Sequence, residues 1–553
     1  NGHIMNESLE TPNIELSEGA KLKKDFIAGL VVFLVALPLC LGIALASDAP
    51  LASGLLAGII GGLVVGSISG SSTSVSGPAA GLTAIVSAQI VLMEGFPQFL
   101  TAVFLAGLIQ IAMGCMKAGA LSAFFPSSVI KGLLAAIGTI LILKQLLYFF
   151  GGAKDFESAY ELPETFSILK DVATVFEGNI QQGPLVVGII CITLLIVWPR
   201  IAVLKKTSFP PALAVVLLGV ILQILLSSMG ENWAFSKEHL VDVPSLFGDS
   251  AAEAMEAGAT ETADAAGKTS EEQKWIVFPD FSVLTGFQVY LAAITIAIVA
   301  SLETLLNLEA VDKLDPKKRP SPPSRELIAQ GVGNTVGGLI GSLPVTSVII
   351  RSSVNIHVGV ETKKSTIIHG ILLVLSIAVF ATYLNYIPLT SLAAILLMTG
   401  WKLANPKLFR SLWKMGARQF VPFIVTLVAI VFTDLLLGVI IGMVVGLIFV
   451  MLSTVWNPLI TAAKVFESEV ALGDDPIRLV LAKHVSFLSR LKIKKVLHSI
   501  EPNSTVIFDG TKNEFIDEDT LDMIVDYIKE SAKEGITAFA EGLELPKESA
   551  GLH

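Results

Sequence analysis

The chain has 553 residues, of which 53% are apolar and 16% are charged, and its mean hydropathy is +0.73. Soluble domains average about 45–50% apolar and about 25% charged residues, so this composition excludes a soluble protein and predicts one large membrane domain. The formal net charge of -10 says little by itself, because the distribution of the charges along the chain matters more.

Apolar runs follow one another along most of the chain, in two groups of seven separated by a long polar interval. They lie near residues 26–46, 51–68, 77–92, 100–113, 123–150, 185–198 and 211–226, and then near 289–308, 327–343, 345–356, 367–384, 389–399, 421–432 and 435–455. A helix needs roughly 20 residues to cross a bilayer, so some runs are half-helices or gain length from polar flanks. The pattern predicts a polytopic α-helical membrane protein with its transmembrane domain at residues 25–456.

The loops between the runs alternate between basic and acidic composition. Acidic loops lie at residues 155–177 and 250–273, and basic clusters lie at 21–24, 200–206, 313–325, 363–364 and 402–418. Basic loops face the cytoplasm, so we expect a multi-pass protein of the plasma membrane, the inner membrane in a bacterium. Both termini, including the N-terminal segment 1–24, are then cytoplasmic. Residues 250–273 are rich in Ala, Glu and Thr, which predicts an external acidic linker.

The third run of each group is interrupted in the same way. Residues 74–86 (SVSGPAAGLTAIV) and 337–355 (GGLIGSLPVTSVIIRSSVN) place glycine, hydroxyl residues and a proline, Pro78 or Pro344, within an apolar segment. Interrupted segments at matching places in two halves indicate the substrate site of a transporter. Because seven is odd, the two copies have opposite orientations, and the pattern predicts an inverted repeat suited to alternating access.

Two half-helices that meet in mid-membrane would present their N-termini to each other, each with unpaired N–H groups and about half a positive charge. An anion between them would supply the partner that hydrocarbon cannot. We therefore predict an anion site with these donors: Ser76, Gly77, Ala79, Ala80 and Gly81 from one segment, and Val345, Thr346, Ser347 and Val348 from the other. The alternative is a pair of proline kinks whose backbone groups bond to neighbouring helices.

Two charged residues accompany these segments. Arg351 lies one to two turns into the second half-helix, where its guanidinium would complement an oxyanion. A snorkelling cytoplasmic anchor and a structural ion pair are the other interpretations of Arg351. Glu303 lies near the middle of the run 289–308, and an ionisable group inside a bilayer marks a functional site. It fits three roles: a proton carrier, a ligand of a sodium ion, or a fixed ion pair with Arg351.

Small residues within the runs are assigned to packing. Glycines recur at every fourth residue from Gly54 to Gly70 and from Gly438 to Gly446, which predicts close approach of helices. Cys40, Cys115 and Cys191 lack the spacing of a metal site or a disulfide framework, so we expect small lipid-facing or core-facing side chains.

The chain becomes soluble in composition after residue 455. Residues 477–482 and 505–508 have the pattern of strands, and residues 486–500 and 519–534 that of amphipathic helices. This alternation predicts a small α/β domain.

Several of these stretches, taken in order, resemble the SulP anion transporters, kin of the animal sulfate, chloride and bicarbonate exchangers. They are GLVVFLVALPLCLGIALA at 29–46, GSSTSVSGPAAGLTAIV at 70–86, QLLYFFG at 145–151, the acidic Glu303, and LPVTSVIIRSSVN at 343–355. The resemblance implies a core-and-gate fold built on the 7+7 inverted repeat, with elevator-like motion. It also implies a homodimer and a cytoplasmic STAS domain, here residues 465–548, with room for a cytoplasmic partner.

The chain departs from the family pattern in the membrane domain. Many members have Gln after the proline of the first span, whereas Leu39 stands there in this chain. The cyanobacterial sodium-dependent bicarbonate transporters, which the pattern also resembles, have an apolar residue at that position. They have Asp at the position of Glu303 and a small hydroxyl residue at that of Ile349. Asn307, four residues from Glu303 on the same helix face, would add a sodium ligand.

The tail departs from the pattern as well. The segment FDGTKNEFIDEDTL at 508–521 keeps the strand, loop and helix of a STAS domain. Glu518 replaces the phosphorylatable Ser of the family, so we expect no phosphorylation switch at this position.

These features predict a secondary active transporter of a small inorganic anion, with bicarbonate ahead of sulfate and with sodium or protons coupled through Glu303. A sulfate–proton symporter, an uncoupled anion channel or exchanger, and a membrane sensor that signals through the tail are the alternatives. Nothing in the sequence predicts an enzyme, a cofactor other than a sodium ion, or a nucleic-acid partner. The expected partners are the anion, the lipid bilayer and a second copy of the chain.

Overall fold

The computed structural model describes residues 17–119, 126–151, 181–201, 209–230, 233–244, 275–433 and 435–453, and residues 476–543 except 483, 486–489, 498, 503, 514 and 532–534. The predicted acidic linker at 250–273 lies outside the described residues, as do most of segment 1–24 and both ends of the predicted STAS domain.

The first half of the membrane part contains seven helical segments in its described residues. They are α1 (Glu18–Ala46), α2 (Leu51–Ile68), α3 (Thr83–Leu92), α4 (Phe96–Cys115), α5 (Ser127–Phe149), α6 (Gln182–Val197) and α7 (Pro211–Ser227). Helix α3 is a half-helix, and strand β1 (Ser76–Pro78) and a 3-10 turn (Ala80–Leu82) precede it. Each segment lies on one of the seven predicted apolar runs.

The second half repeats this order. Its described helices are α8 (Phe287–Leu314), α9 (Pro323–Ile340), α10 (Ile349–Val358), α11 (Lys364–Leu384), α12 (Leu389–Leu403), α13 (Pro406–Lys414), α14 (Ala417–Phe432) and α15 (Leu435–Ser453). Strand β2 (Val345–Ser347) leads into the short α10, as β1 leads into α3. The prediction of an interrupted third segment in each half is therefore confirmed. Helix α13 was not predicted, because nine amphipathic residues are too few to give an apolar run.

Among the described residues, seven helices are long and apolar enough to cross a membrane, and four shorter apolar helices accompany them. The shorter ones include the half-helix that ends at Leu92. Polar flanks and half-helices were expected, because several apolar runs are shorter than the bilayer is thick.

The helices pack in two groups, which we call the core group (α1–α4 and α8–α11) and the gate group (α5–α7 and α12–α15). Within the core group, α4 packs against α8 and α9, and α1 packs against α2, α10 and α11. Within the gate group, α5 packs against α12 and α14. Fewer contacts join the groups, mainly from α1 to α7 and α12. The predicted core-and-gate fold is confirmed.

Glycines on α2 bring its neighbours close, as predicted. A Cβ at Gly58 would lie 2.7 Å from Cys40 Sγ on α1, and a Cβ at Gly62 would lie 2.6 Å from the Gly370 Cα on α11. Gly438 lies in the same way against Ile430, between α15 and α14. Helices in lipid gain stability from such close packing, because burial of apolar surface supplies no driving force between them.

The described part of the tail is a small α/β unit. It contains β3 (Ile477–Val480), β4 (His484–Val485), α16 (Arg490–Leu497), β5 (Thr505–Asp509), β6 (Phe515–Ile516), α17 (Glu518–Ser531) and β7 (Thr537–Glu541). Strands β3, β5 and β7 form a parallel sheet with β5 in the centre, and β4 pairs with β6. The predicted α/β alternation is confirmed, and strands β4, β6 and β7 were missed.

The end of the central strand β5 is tied down by polar contacts. The hydroxyl and backbone N–H of Thr511 donate to Asp509 Oδ1, and they hold the pKa of the Asp509 carboxyl below its usual value. Arg478 donates to the other oxygen of this carboxylate at 2.8 Å and also to Glu541. These bonds join the ends of β3, β5 and β7.

Candidate functional site

Strands β1 and β2 pair antiparallel, with Gly77 opposite Thr346 at the centre of the pair. Both strands are buried, and they lie among α1, α2, α8 and α9 of the core group. Each strand runs directly into its half-helix, β1 towards α3 and β2 into α10. Because the strands are antiparallel, the half-helices leave in opposite directions and their N-termini converge on this crossing.

Polar side chains of neighbouring helices already satisfy much of the β2 backbone. The N–H of Val345 donates to Asn334 Oδ1 at 2.6 Å, and that of Ser347 donates to Thr304 Oγ1 at 3.3 Å. The N–H of Val348 donates to the carbonyl oxygen of Val75 at 2.9 Å. These three N–H groups therefore follow the alternative prediction: they bond to neighbouring residues and are not left for an anion.

Other predicted donors remain directed at the crossing. Thr346 is fully buried, and within the described part of the chain its hydroxyl makes one bond, of 3.3 Å, to the adjacent Ser347 carbonyl. Ala79 and Ala80 stand at the start of the helical turn that leads into α3, where the first N–H groups of a helix lack intrahelical acceptors. The hydroxyl of Ser76 accepts a bond from Gln330 Nε2 at 2.7 Å, so its own hydrogen is free to point elsewhere.

Glu303 lies against the first of these half-helices. Its carboxylate lies against the backbone of Gly81, where a Cβ would lie 2.5 Å from Glu303 Oε1. The second oxygen, Oε2, is buried without a hydrogen-bond partner. Among the described residues Glu303 forms no ion pair, so the interpretation as a fixed pair with Arg351 is wrong.

Asn307 lies one turn further along α8 and faces β2. Its Nδ2 donates to the carbonyl oxygen of Ser347 at 2.7 Å. Glu303 and Asn307 therefore connect α8 to both half-helix segments, one to the start of α3 and the other to the end of β2. Ile349 is 37% exposed, and its side chain brings no oxygen.

Arg351 is fully buried in the first turn of α10. Its Nη2 lies 3.3 Å from Cys40 Sγ on α1, and the guanidinium lies directly against Gly77 of β1. Nε and Nη1 have no partner, and in the described part of the chain Arg351 has no ion pair. The interpretations as a snorkelling anchor and as a structural ion pair are therefore wrong, because a snorkelling side chain reaches water and an ion pair needs a carboxylate.

Sequence reasoning missed several residues that hold this site. Thr304, Gln330 and Asn334 bond directly to the two strands. His369 is a buried imidazole on α11, and neither of its ring nitrogens has a partner among the described residues. The spacing of four between Gln330 and Asn334 was the available signal, since it puts two amides on one face of a membrane helix.

Cys40 and Cys191 are buried, and Cys115 is exposed.

One polar cluster joins the core group to the gate group. Asp48 follows α1, and its Oδ2 accepts from Ser87 Oγ on α3 at 2.6 Å and from Lys144 Nζ on α5 at 3.1 Å. Lys144 Nζ also donates to Ser87 Oγ at 2.6 Å. The turn after α1 and helix α3 of the core group thus bind one buried lysine of the gate group.

This arrangement, two packed groups of helices around a pair of half-helices, is the architecture of a multi-pass membrane transporter. The sequence profile of the sulfate permease family matches residues 22–426. The chain therefore belongs to the sulfate permease family, whose members carry inorganic anions across membranes.

Individual relatives agree with this assignment, and two solved structures share the fold. The chain is 26% identical to the putative sulfate transporter YvdB of Bacillus subtilis, over 78% of the chain and 73% of that protein. It is 26% identical to the bicarbonate transporter BicA of Picosynechococcus, over 68% of the chain and 61% of that protein. The transmembrane domain of a cyanobacterial BicA has the same fold, with a TM-score of 0.59, 23% identity and coverage of 77% of this chain and 97% of that one. SLC26A9 matches with a TM-score of 0.65, 16% identity and coverage of 96% and 86%.

Proposed function

We propose that the chain is a secondary active transporter of a small inorganic oxyanion, with bicarbonate as the first candidate substrate and with a cation coupled through Glu303. The observation that carries this proposal is the crossing of β1 and β2, where two half-helix N-termini, a buried Arg351 and a carboxylate meet. Converging N–H groups and a guanidinium favour an anion. We assign direct anion contact to Ser76, Gly77, Ala79, Ala80, Thr346 and Arg351. Ser347 and Val348 are assigned places beside the anion, because their N–H groups already bond to Thr304 and Val75.

Coupling follows from the position of Glu303. Its carboxylate lies against Gly81, within a turn of the N–H groups that we assign to the anion. Two unit negative charges about 4 Å apart repel by about 4 kcal/mol at the effective dielectric constant of a protein. A cation that neutralises Glu303 removes this repulsion, so the cation and the anion each strengthen the binding of the other.

The two candidate cations need different surroundings. A proton needs only the carboxylate, whose Oε2 has no partner, whereas a sodium ion needs several oxygen ligands. Asn307 bonds to Ser347 through its amide nitrogen, which leaves Asn307 Oδ1 available to a cation, but the side chain of Ile349 offers no further oxygen. This observation favours proton coupling and keeps a sulfate–proton symporter as the second candidate function. An uncoupled channel or exchanger would gain nothing from the carboxylate.

The substrate test is uptake of labelled bicarbonate and labelled sulfate into proteoliposomes that contain the full chain. Sodium and pH gradients are imposed separately. We expect accumulation of bicarbonate above its equilibrium level with one of the two gradients. Accumulation of sulfate without bicarbonate would contradict the first choice of substrate and support the second, and equal flux without either gradient would support a channel or an exchanger.

We further propose that the core group moves against the gate group as an elevator, within a homodimer in the plasma membrane whose termini are cytoplasmic. With that orientation, Asp48 at the end of α1 lies on the external side. Its ion pair with Lys144 then closes the external side in this conformation and must break when the core group moves. The tail is proposed to be the STAS domain and a docking site for a cytoplasmic partner.

A covalent link across this pair should stop transport. We expect Asp48→Cys with Lys144→Cys, joined by a short bifunctional thiol reagent on a Cys115→Ser background, to lose nearly all uptake. Cys115 is replaced because it is the exposed native cysteine among the three. Each single cysteine treated with the same reagent is the control and should retain uptake. Full uptake by the cross-linked pair would exclude relative motion of the two groups at this point.

A further inference from the structure

Three polar residues occupy one buried face of α9, at a spacing of four: Glu326, Gln330 and Asn334. Asn334 forms two hydrogen bonds with β2: it accepts from the N–H of Val345 and donates to the carbonyl of the same residue at 3.1 Å. Gln330 donates a hydrogen bond to the hydroxyl of Ser76 on β1. Glu326 forms no hydrogen bond with β1 or β2 in the described residues, so its role is not that of Gln330 or Asn334.

Glu326 is a fully buried carboxylate that forms no ion pair with the described residues. Its Oε2 accepts from Ser69 Oγ at 2.6 Å, and its Oε1 accepts from Gln330 Nε2 at 3.1 Å. Burial of an unpaired charge is costly, and an apolar residue would avoid that cost. A carboxylate at this place is therefore expected to have a function that an apolar side chain cannot have.

The direction of the hydrogen bonds shows what that function is. Ser69 and Gln330 both donate to Glu326, which as an ionised carboxylate only accepts, so the –NH₂ group of Gln330, and not its carbonyl oxygen, faces Glu326. The same nitrogen lies 2.7 Å from Ser76 Oγ and gives its second hydrogen to that oxygen. Ser76 therefore accepts from Gln330, and its own hydroxyl hydrogen remains available for another acceptor.

We propose that Glu326 is a positioning residue of the anion site: it fixes the orientation of the Gln330 amide and thereby makes Ser76 a hydrogen-bond donor to the anion. With the amide reversed, the Gln330 carbonyl oxygen would take the Ser76 hydrogen, and the anion would lose this donor. The inference rests on the proposed function, because it requires an anion at the crossing of β1 and β2.

The test compares Glu326→Gln, Ser76→Ala and the double variant by equilibrium binding of labelled bicarbonate and labelled sulfate to the purified full chain. Glutamine at 326 both donates and accepts, so it no longer selects one orientation of Gln330. For the anion that wild type binds, we expect the Kd to rise about threefold to tenfold in each single variant, the loss of one hydrogen bond. The double variant should bind like Ser76→Ala alone, because the relay acts only through that hydroxyl.

Two further measurements separate positioning from a structural role. Glu326→Gln removes a buried unpaired charge, so we expect its unfolding temperature to equal or exceed that of wild type while its affinity falls. A lower unfolding temperature with unchanged affinity would overturn the proposal. Asp312→Asn is the matched control, since that carboxylate on α8 bonds to Ser321 and not to Gln330, and its affinity should be that of wild type.

The outcomes also distinguish failure of the inference from failure of the proposed function. A weaker Ser76→Ala with an unchanged Glu326→Gln contradicts the relay and leaves the anion site at the crossing intact. Unchanged affinity in Ser76→Ala removes Ser76 from the anion site, and the relay fails with it. Additive losses in the double variant show that Glu326 acts by a route other than Ser76, which also contradicts the proposal.

Discussion

Glu303→Gln should abolish accumulation of the anion against its gradient while binding of the anion survives. Glutamine keeps an oxygen beside Gly81 but has no charge for a cation to neutralise. The repulsion between the carboxylate and the anion also disappears, so we expect at least tenfold tighter anion binding in the absence of the coupling cation. Uptake into proteoliposomes and equilibrium binding measure the two effects on the same preparation.

The matched control is Glu309→Gln, which removes a carboxylate from the same helix α8 but nearer its end. We expect this variant to accumulate the anion like wild type. Concentrative uptake that persists in Glu303→Gln would contradict cation coupling through this residue. Loss of uptake together with loss of anion binding would point to a direct contact of Glu303 with the anion instead.

Replacement of Arg351 should give the second large effect, a loss of anion affinity of about ten- to a hundredfold. The guanidinium is buried beside β1 without a carboxylate, and hydrogen bonds to charged groups contribute about 1.5–3 kcal/mol each. Arg351→Met is the preferred variant, because a long apolar side chain avoids the cavity that alanine would leave. The measurement is the Kd for labelled anion, with the unfolding temperature as a check on the fold.

Arg351→Lys tests whether charge or geometry matters. A lysine keeps the positive charge but loses the planar fork of donors, so we expect an affinity between those of wild type and Arg351→Met. Affinity equal to wild type in both variants would remove Arg351 from the site. In that case its burial against Cys40 and Gly77 would remain a feature of packing.

The order of the membrane segments could be predicted from sequence because bilayer thickness imposes a length on apolar runs. The interruption in each third segment could be predicted from Pro78 and Pro344. A proline has no N–H to donate and its ring clashes with the preceding turn, so a helix cannot run through it undisturbed. Their matching positions predicted that two half-helices meet. The structure has this arrangement, and it adds the antiparallel pairing of β1 with β2.

The partners of the polar side chains could not be predicted, because they depend on which helix faces which. Arg351 and Glu303 are both charged residues in apolar segments, so pairing them was reasonable. In the structure Arg351 turns towards Cys40 on α1, whereas Glu303 turns towards Gly81. Helix α9 was predicted only as an apolar run, and its row of three buried polar residues became visible only through their contacts with β1 and β2.

Some of the predicted donors at the crossing hold β2 in place and do not face the anion. Several predicted backbone donors, such as the N–H of Val345 and of Ser347, already bond to side chains of α8 and α9. These bonds hold β2 in place, and they leave the start of the α3 segment, the Thr346 hydroxyl and Arg351 as the donors best able to bind an anion. The site is therefore proposed to be less symmetric than the inverted repeat that forms it.

The central claim is that an anion at the crossing of β1 and β2 and a cation at Glu303 bind together. Thermal unfolding of the purified full chain tests this most directly, with increasing bicarbonate or sulfate, with and without sodium, and at two pH values. We expect the substrate anion to raise Tm far more when the coupling cation is present, and Glu303→Gln to remove that difference. For wild type, a rise in Tm that is the same with and without sodium and the same at both pH values would contradict coupled binding of the anion and the cation.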